Sequence, residues 1–226
     1  LARFISAGQQ DPQRVAAILA TEGLQPIEGK LENVDVLYEA GFRIAGLTHF
    51  FDNEVGGSAH GLEKGGLTPL GRQVIKRLEA KAMLIDLAHA SRSLIDDVLG
   101  MATRPVLVSH TGVEGTCKGT RNLSDKHLKA IAATGGVIGI GYWDAAVCAT
   151  SVEAIVNAIR HTVDTIGVEH VALGSDFNGT IHAPFDVTGL PQLTEGLLKA
   201  GFSHTEIAAI MGGNVQRLLL SSLPAN

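Results

Sequence analysis

The sequence predicts an α/β fold in which parallel strands alternate with helices and curve towards a barrel. Three observations predict it. Short apolar runs alternate with helical segments along nearly the whole chain. With 45 % apolar residues and 27 glycines among 226, the composition supports one large core and the tight loops of such an alternation. Polar residues suited to metal binding or proton transfer close these runs, at Glu22, His49, His89, His110 and Asp176. A barrel of parallel strands gathers all carboxyl ends on one face, whereas an open doubly wound sheet spreads them along an edge. The convergence favours the barrel, and residues 1–226 read as one domain.

Taken in order, VAAILATEG (15–23) reads as a buried strand feeding a loop at Glu22 and Gly23. NVDVLYEAG (33–41) reads as a helix capped by Asn33 and stopped by Gly41. FRIAGLTH (42–49) is a second strand ending on a histidine. Residues 50–67 form a long glycine-rich loop, a length that is often functional. Thr68 followed by Pro69 starts a helix that runs to about Ala80, with Val74, Ile75 and Leu78 as its core stripe.

The strand AMLIDLAH (82–89) follows, then a helix over 91–100 closed by Gly100. PVLVSH (105–110) is the next strand, and Ser124 caps a helix over 125–135. The strand GVIGIGYW (136–143) brings Tyr142 or Trp143 to the same rim. Thr150 and Glu153 have the spacing of a capping box for a helix to about Ile166. HVALGSDFNG (170–179) is a strand ending on Asp176, and Ser203 with Glu206 forms a second capping box before the helix TEIAAIMGG (205–213).

Composition excludes several function classes. A net charge of −5 and a pI near 6.0 argue against a nucleic-acid or anionic-membrane footprint. No apolar run reaches the ~18 residues that span a bilayer. The expectation is a soluble protein, cytoplasmic or periplasmic, with the compartment left open because the chain starts at Leu1 rather than Met. Cys117 and Cys148 are too few for a disulfide framework and read as reduced thiols.

Each candidate has a plain structural reading beside the chemical one. One histidine after an apolar run is usually a hydrogen-bonded boundary residue, but three at equivalent strand ends are harder to explain that way. Glu22 alone could cap a helix, and Asp176 alone could open an Asx-turn before Asn178 and Gly179. Asp86, three residues before His89 in an apolar strand, either orients a ligand or is paired structurally. His60, His127, His161, His170, His182 and His204 read as solvated or capping residues. Arg121 follows the His110 strand, where its fork could grip a substrate carboxylate.

ATEG (20–23), FRIAGLTHF (42–50), GLTPLG (66–71), IDLAHAS (85–91), PVLVSHT (105–111), TRNLSD (120–125), ALGSDFNG (172–179) and IMGGNVQRLL (210–219) carry a family resemblance. In this order they resemble the blocks of the membrane dipeptidase family, the renal-dipeptidase-like metallopeptidases. The resemblance implies a (β/α)8 TIM barrel of the amidohydrolase-like type, of which about six βα units are visible. It implies two Zn2+ ions per site and hydrolysis of a dipeptide's amide bond by a metal-bound hydroxide.

By the same resemblance Glu22 is the bridging carboxylate and His89 and His110 hold one zinc. His49 contacts substrate, Arg121 holds its terminal carboxylate, and Asp176 is the acid/base. The partner expected is a dipeptide, with homo-oligomerisation as a family trait that no interface in the sequence marks. The family's first strand carries a His-x-Asp pair for the other zinc, and none occurs upstream of Glu22. The resemblance therefore runs from the family's third strand onward, and the ligands of one zinc are absent from this chain. Another amidohydrolase-type amide hydrolysis, a deamination, or a catalytically inactive binding or structural subunit remain the alternatives.

Overall fold

A computed structural model of the chain describes residues 15 and 17–224. Its centre is a sheet of six parallel strands in sequential order: β1 (Ala20–Glu22), β2 (Ile44–Gly46), β3 (Leu84–Asp86), β4 (Leu107–Thr111), β5 (Val137–Ile140) and β6 (Val171–Leu173). Sequential parallel order with a helix in each crossover is what barrel strands show before closure. Among the described residues β1 and β6 pair only inward, with β2 and β5.

Strand residues alternate between two cores. Ile85, Val108, Ile138 and Val171 join the large cluster beneath the outer helices. Leu84, Leu107, Val137 and Ala172 face the interior and form a second cluster with Leu218 of a C-terminal helix. Period-2 alternation assigns each face.

The helices are α1 (Asn33–Glu39), α2 (Pro69–Ala80), α3 (Arg92–Leu99), α4 (Asp125–Ala133), α5 (Asp144–Val147), α6 (Val152–Ile166), α7 (Leu190–Lys199), α8 (His204–Ala208) and α9 (Asn214–Ser222). α2 begins as its sequence requires: the Thr68 hydroxyl accepts the Gly71 N–H at 2.9 Å, a cap of the kind that contributes about 1 kcal/mol. Its stripe of Val74, Ile75 and Leu78 is fully buried, about 2 kcal/mol of transfer free energy for each side chain. Ser91 and Ser124 cap α3 and α4 in the same way. Ser203 and Glu206 form the expected capping box on α8.

Several expectations need correction. The strand read over 15–23 shrinks to β1, with Val15 and Leu19 exposed and Ala16 outside the described residues. An edge strand lacks a neighbour to bury its outer residues. Asn33 is the first helical residue of α1, not its cap; its side-chain amide donates to the Ile27 carbonyl instead. Ser151 caps α6 by accepting the Ala154 N–H, so the box read for Thr150 and Glu153 does not form. The strand read to Asp176 stops at Leu173. The helix read over 205–213 splits into α8 and a π-helical turn, Ala209–Gly213, before α9. Cys117 and Cys148 form a disulfide with Cα atoms 5.3 Å apart, contrary to the reduced thiols expected. The pairing is tertiary, since the two stand 31 positions apart and the loops after β4 and β5 bring them together.

Candidate metal centre at the strand ends

The rim is assembled by departures from regular strand geometry. β4 carries one extra residue relative to β5 between Val108 and Thr111, and this bulge re-aims Ser109 and His110. Room for the shift comes from Gly139 and Gly174, where a Cβ would meet the Ser109 carbonyl oxygen at 2.2 and 2.5 Å. His89 follows β3 by three residues in the left-handed region, φ 62°, and Asp176 follows β6 likewise at φ 55°. Non-glycine residues in that region are uncommon and cluster at functional sites. His49 stands three residues past β2, its carbonyl accepting a hydrogen bond from the Ser58 hydroxyl. Asp52 holds the intervening loop by accepting the N–H groups of Ser58 and Glu63 at 2.7 and 2.8 Å.

These segments bring four side chains to one point. Glu22 Oε1 lies 3.1 Å from His89 Nε2, 3.5 Å from His110 Nε2 and 3.8 Å from His49 Nε2. The His89 and His110 Nε2 atoms are 2.9 Å apart. Asp176 joins them, since Glu22, His110 and Asp176 each offer a ligand atom within 4.8 Å of the others. A cavity of about 400 Å³ runs from this cluster into the barrel, past Thr21, Asp86, Leu107 and Leu173.

Electrostatics match the geometry. The hydrogen bond from His89 holds the Glu22 carboxyl down at about 2, against the opposing effect of its partial burial. Burial lowers His89 to about 4 and His110 to about 3, so both imidazoles are neutral at pH 7. Burial raises Asp176, and the neighbouring Glu22 charge raises it further. Desolvation lowers Arg121 to about 10, which leaves it charged. Neutral imidazole nitrogens around an ionised carboxylate are the donors zinc takes, so the residues present fit that ion.

Arg121 lies below the cluster, donating from Nη2 to the His110 carbonyl at 2.9 Å and from Nη1 to Thr111 Oγ1 at 3.2 Å. Its Nε has no partner among the described residues. Trp143, not Tyr142, reaches the rim, its ring 5.8 Å from that of His110. Tyr142 is fully buried against Phe177 and Phe185.

Two residues at the rim escaped the sequence reading. His60, read as solvated or capping, packs its ring 5.5 Å from His89, and Phe50 packs 4.4 Å from His49 and 4.8 Å from His60. Both belong to the long loop, whose path no periodicity predicts. His127, also read as solvated or capping, is buried on α4 with its Nε2 3.5 Å from Asp96. His161 and His170 do find polar partners, in Asp125 and the Gly136 carbonyl at 2.8 Å each.

Comparison with known proteins gives the family. A family model described as membrane dipeptidase, peptidase family M19, matches residues 5–222. The chain is 33 % identical over 218 residues to the dipeptidase aclJ of Aspergillus oryzae, covering 92 % of this chain and 52 % of that protein. It is 32 % identical over 221 residues to an uncharacterized protein of Klebsiella pneumoniae, covering 91 % of this chain and 81 % of that one. Among solved structures it superposes with a TM-score of 0.81 on a metallo peptidase from Rhodobacter sphaeroides liganded with a phosphinate mimic of the dipeptide L-Ala-D-Ala. The identity there is 25 %, over 91 % of this chain and 63 % of the other. The chain thus spans about half the length of the Aspergillus dipeptidase it matches.

Proposed function

The chain belongs to the membrane dipeptidase family, and from that premise we propose that it carries the zinc-binding and proton-handling part of a dipeptide-hydrolysing site. One observation carries the reading: the Glu22 carboxylate and the His89 and His110 imidazoles meet atom to atom at the strand ends. In this reading Glu22, His89 and His110 hold a zinc ion, with three protein donors as in other catalytic zinc sites. Bound zinc supplies a Lewis acid that polarises a carbonyl and lowers the pKa of water.

The remaining steps belong to side chains. Asp176 accepts the proton of the attacking water and delivers it to the leaving amine. Its raised pKa brings donor and acceptor roles closer to neutral pH. His49, part-exposed beside Glu22, donates a hydrogen bond to the oxygen on which charge develops. Arg121 fixes the substrate's terminal carboxylate, its planar fork held in one orientation by the His110 carbonyl and Thr111. The dipeptide mimic bound by the Rhodobacter metallo peptidase supports the same substrate class here.

The test is to measure zinc per chain and hydrolysis of a dipeptide panel by the purified protein. Stoichiometric zinc and dipeptide turnover that falls on chelation and returns with zinc are expected. Dipeptide turnover that survives complete zinc removal would overturn the reading.

A further inference from the structure

One exposed aromatic residue stands at the rim without a part in that chemistry. Phe50 follows His49 directly, is 48 % exposed and belongs to neither apolar core. Single exposed apolar residues are common on protein surfaces and by themselves signal nothing. Its neighbours set this one apart. The Phe50 ring lies 4.4 Å from the His49 ring, 4.8 Å from His60 and 5.6 Å from His89. Phe177, beside Asp176, differs: its ring packs on Tyr142 and Phe185 at 5.7 and 6.5 Å and so belongs to the wall of the fold.

The segment that carries Phe50 is fastened on both sides before any ligand arrives. The Ser58 hydroxyl donates to the His49 carbonyl, and the Ala59 N–H donates to the His89 carbonyl at 2.8 Å. Asn53 donates its side-chain amide to the Leu47 carbonyl and accepts the Val55 N–H, each at 2.9 Å. Asp52 holds the N–H groups of Ser58 and Glu63. A ring placed in this way has little freedom left to lose when a second apolar group covers it, so its open area is available for ligand burial.

We propose that Phe50 is a specificity-determining residue, whose open ring surface receives the side chain of the dipeptide's amino-terminal residue and favours an apolar one. This rests on the dipeptidase reading above. Arg121 donates to the His110 carbonyl, so a substrate carboxylate held by Arg121 puts the carboxyl-terminal residue on the His110 side. The amino-terminal residue then extends over His89 towards His49, where Phe50 stands. An acidic side chain there gives up hydration against a hydrocarbon ring, whereas an apolar one gains by covering it.

The experiment compares kcat/KM of the zinc-loaded protein for Leu-Ala, Gly-Ala and Asp-Ala. Wild type is expected to favour Leu-Ala over Gly-Ala about 10-fold or more, the low end of what added methylenes contribute in an apolar pocket, with Asp-Ala no faster than Gly-Ala. Phe50→Ala is expected to cut the Leu-Ala to Gly-Ala ratio about fivefold. Phe50→Lys, which sets a solvated cation where the ring was, is expected to lower the Leu-Ala to Asp-Ala ratio further. Ratios cancel any uniform loss from a displaced His49, against which Phe50 packs. The companion ratio of Ala-Leu to Ala-Gly should not follow Phe50. In calorimetry, a phosphinate mimic of Leu-Ala should bind more tightly than one of Gly-Ala, and Phe50→Ala should narrow that difference.

Equal kcat/KM for Leu-Ala and Gly-Ala in wild type, or ratios unmoved in both variants, would overturn the proposal and leave the dipeptidase reading standing. A Phe50→Ala effect confined to the Ala-Leu and Ala-Gly series would overturn the placement of the amino-terminal residue. Zinc-loaded protein that turns over no dipeptide would sink the dipeptidase reading, and the proposal with it.

Discussion

His89 and His110 meet Nε2 to Nε2 at 2.9 Å, although only His110 belongs to a strand and His89 holds a left-handed backbone conformation one residue past Ala88. Two neutral imidazoles at that distance beside one carboxylate make a donor cluster that a cation can replace proton for metal. The hydrogen bond between His89 and Glu22 offsets part of the cost of burying the His89 ring.

Removing one ring should therefore collapse the site. His89→Ala takes away the hydrogen bond that depresses Glu22 and one of three zinc donors. Zinc affinity is expected to fall more than about 100-fold, beyond the range for outer supporting groups, and dipeptide turnover to disappear. Calorimetric zinc titration and a hydrolysis assay check both; a variant that still turns over dipeptides would exclude His89 as a ligand.

Arg121 should act on binding more than on chemistry. Arg121→Lys keeps a positive charge but loses the two-pronged geometry, and KM for dipeptides is expected to rise about 10- to 100-fold, the worth of a charge-assisted pair. Dipeptide amides, which lack the carboxylate, should be poor substrates for wild type and no worse for the variant. Equal losses on both substrates would show that Arg121 serves only to hold the His110 carbonyl.

The pH dependence of the metal-free protein has a definite sign. His89 and His110 titrate near 4 and 3 in the folded chain, below the ordinary 6.5, because burial disfavours their charged forms. The unfolded chain thus takes up protons first as pH falls. Stability is full above pH 6.5 and declines towards pH 4, by up to about 1.4 kcal/mol per pH unit for each ring. Glu22, depressed to about 2 from 4.5, adds a loss below pH 4.5 in the same direction. Thermal melts from pH 7 to 4 test this, and a melting temperature constant between pH 6.5 and 4.5 would contradict it.

The Cys117–Cys148 disulfide, at a sequence separation of 31, closes a loop that includes Arg121 and β5. Chain-entropy arguments give about 3–4 kcal/mol for a loop of that size. Paired Cys117→Ser and Cys148→Ser substitutions are expected to lower stability by that order in denaturant titrations under oxidising conditions. In reducing buffer the wild type should fall to the level of the variant; equal stability of the two without reductant would mean that the bond does not form in solution.

What the sequence determined by itself was local and periodic. Alternating apolar runs assigned the parallel strands, and Thr68, Ser124 and Ser203 marked three helix starts because a hydroxyl at the first turn satisfies a free backbone N–H wherever the helix packs. Glu22, His49, His89, His110 and Asp176 were legible as strand-end residues, since a parallel sheet sends every carboxyl end the same way. Tertiary structure alone decided the rest. The bulge before His110, the left-handed turn at His89, the approach of His60 and Phe50, and the Cys117–Cys148 pairing all depend on what the chain meets after folding. Asp86 is the clearest case: in sequence it read either as orienting a ligand or as paired structurally, and only the folded chain supplied the Ala88 and Ser109 backbone N–H groups that partner this buried carboxylate.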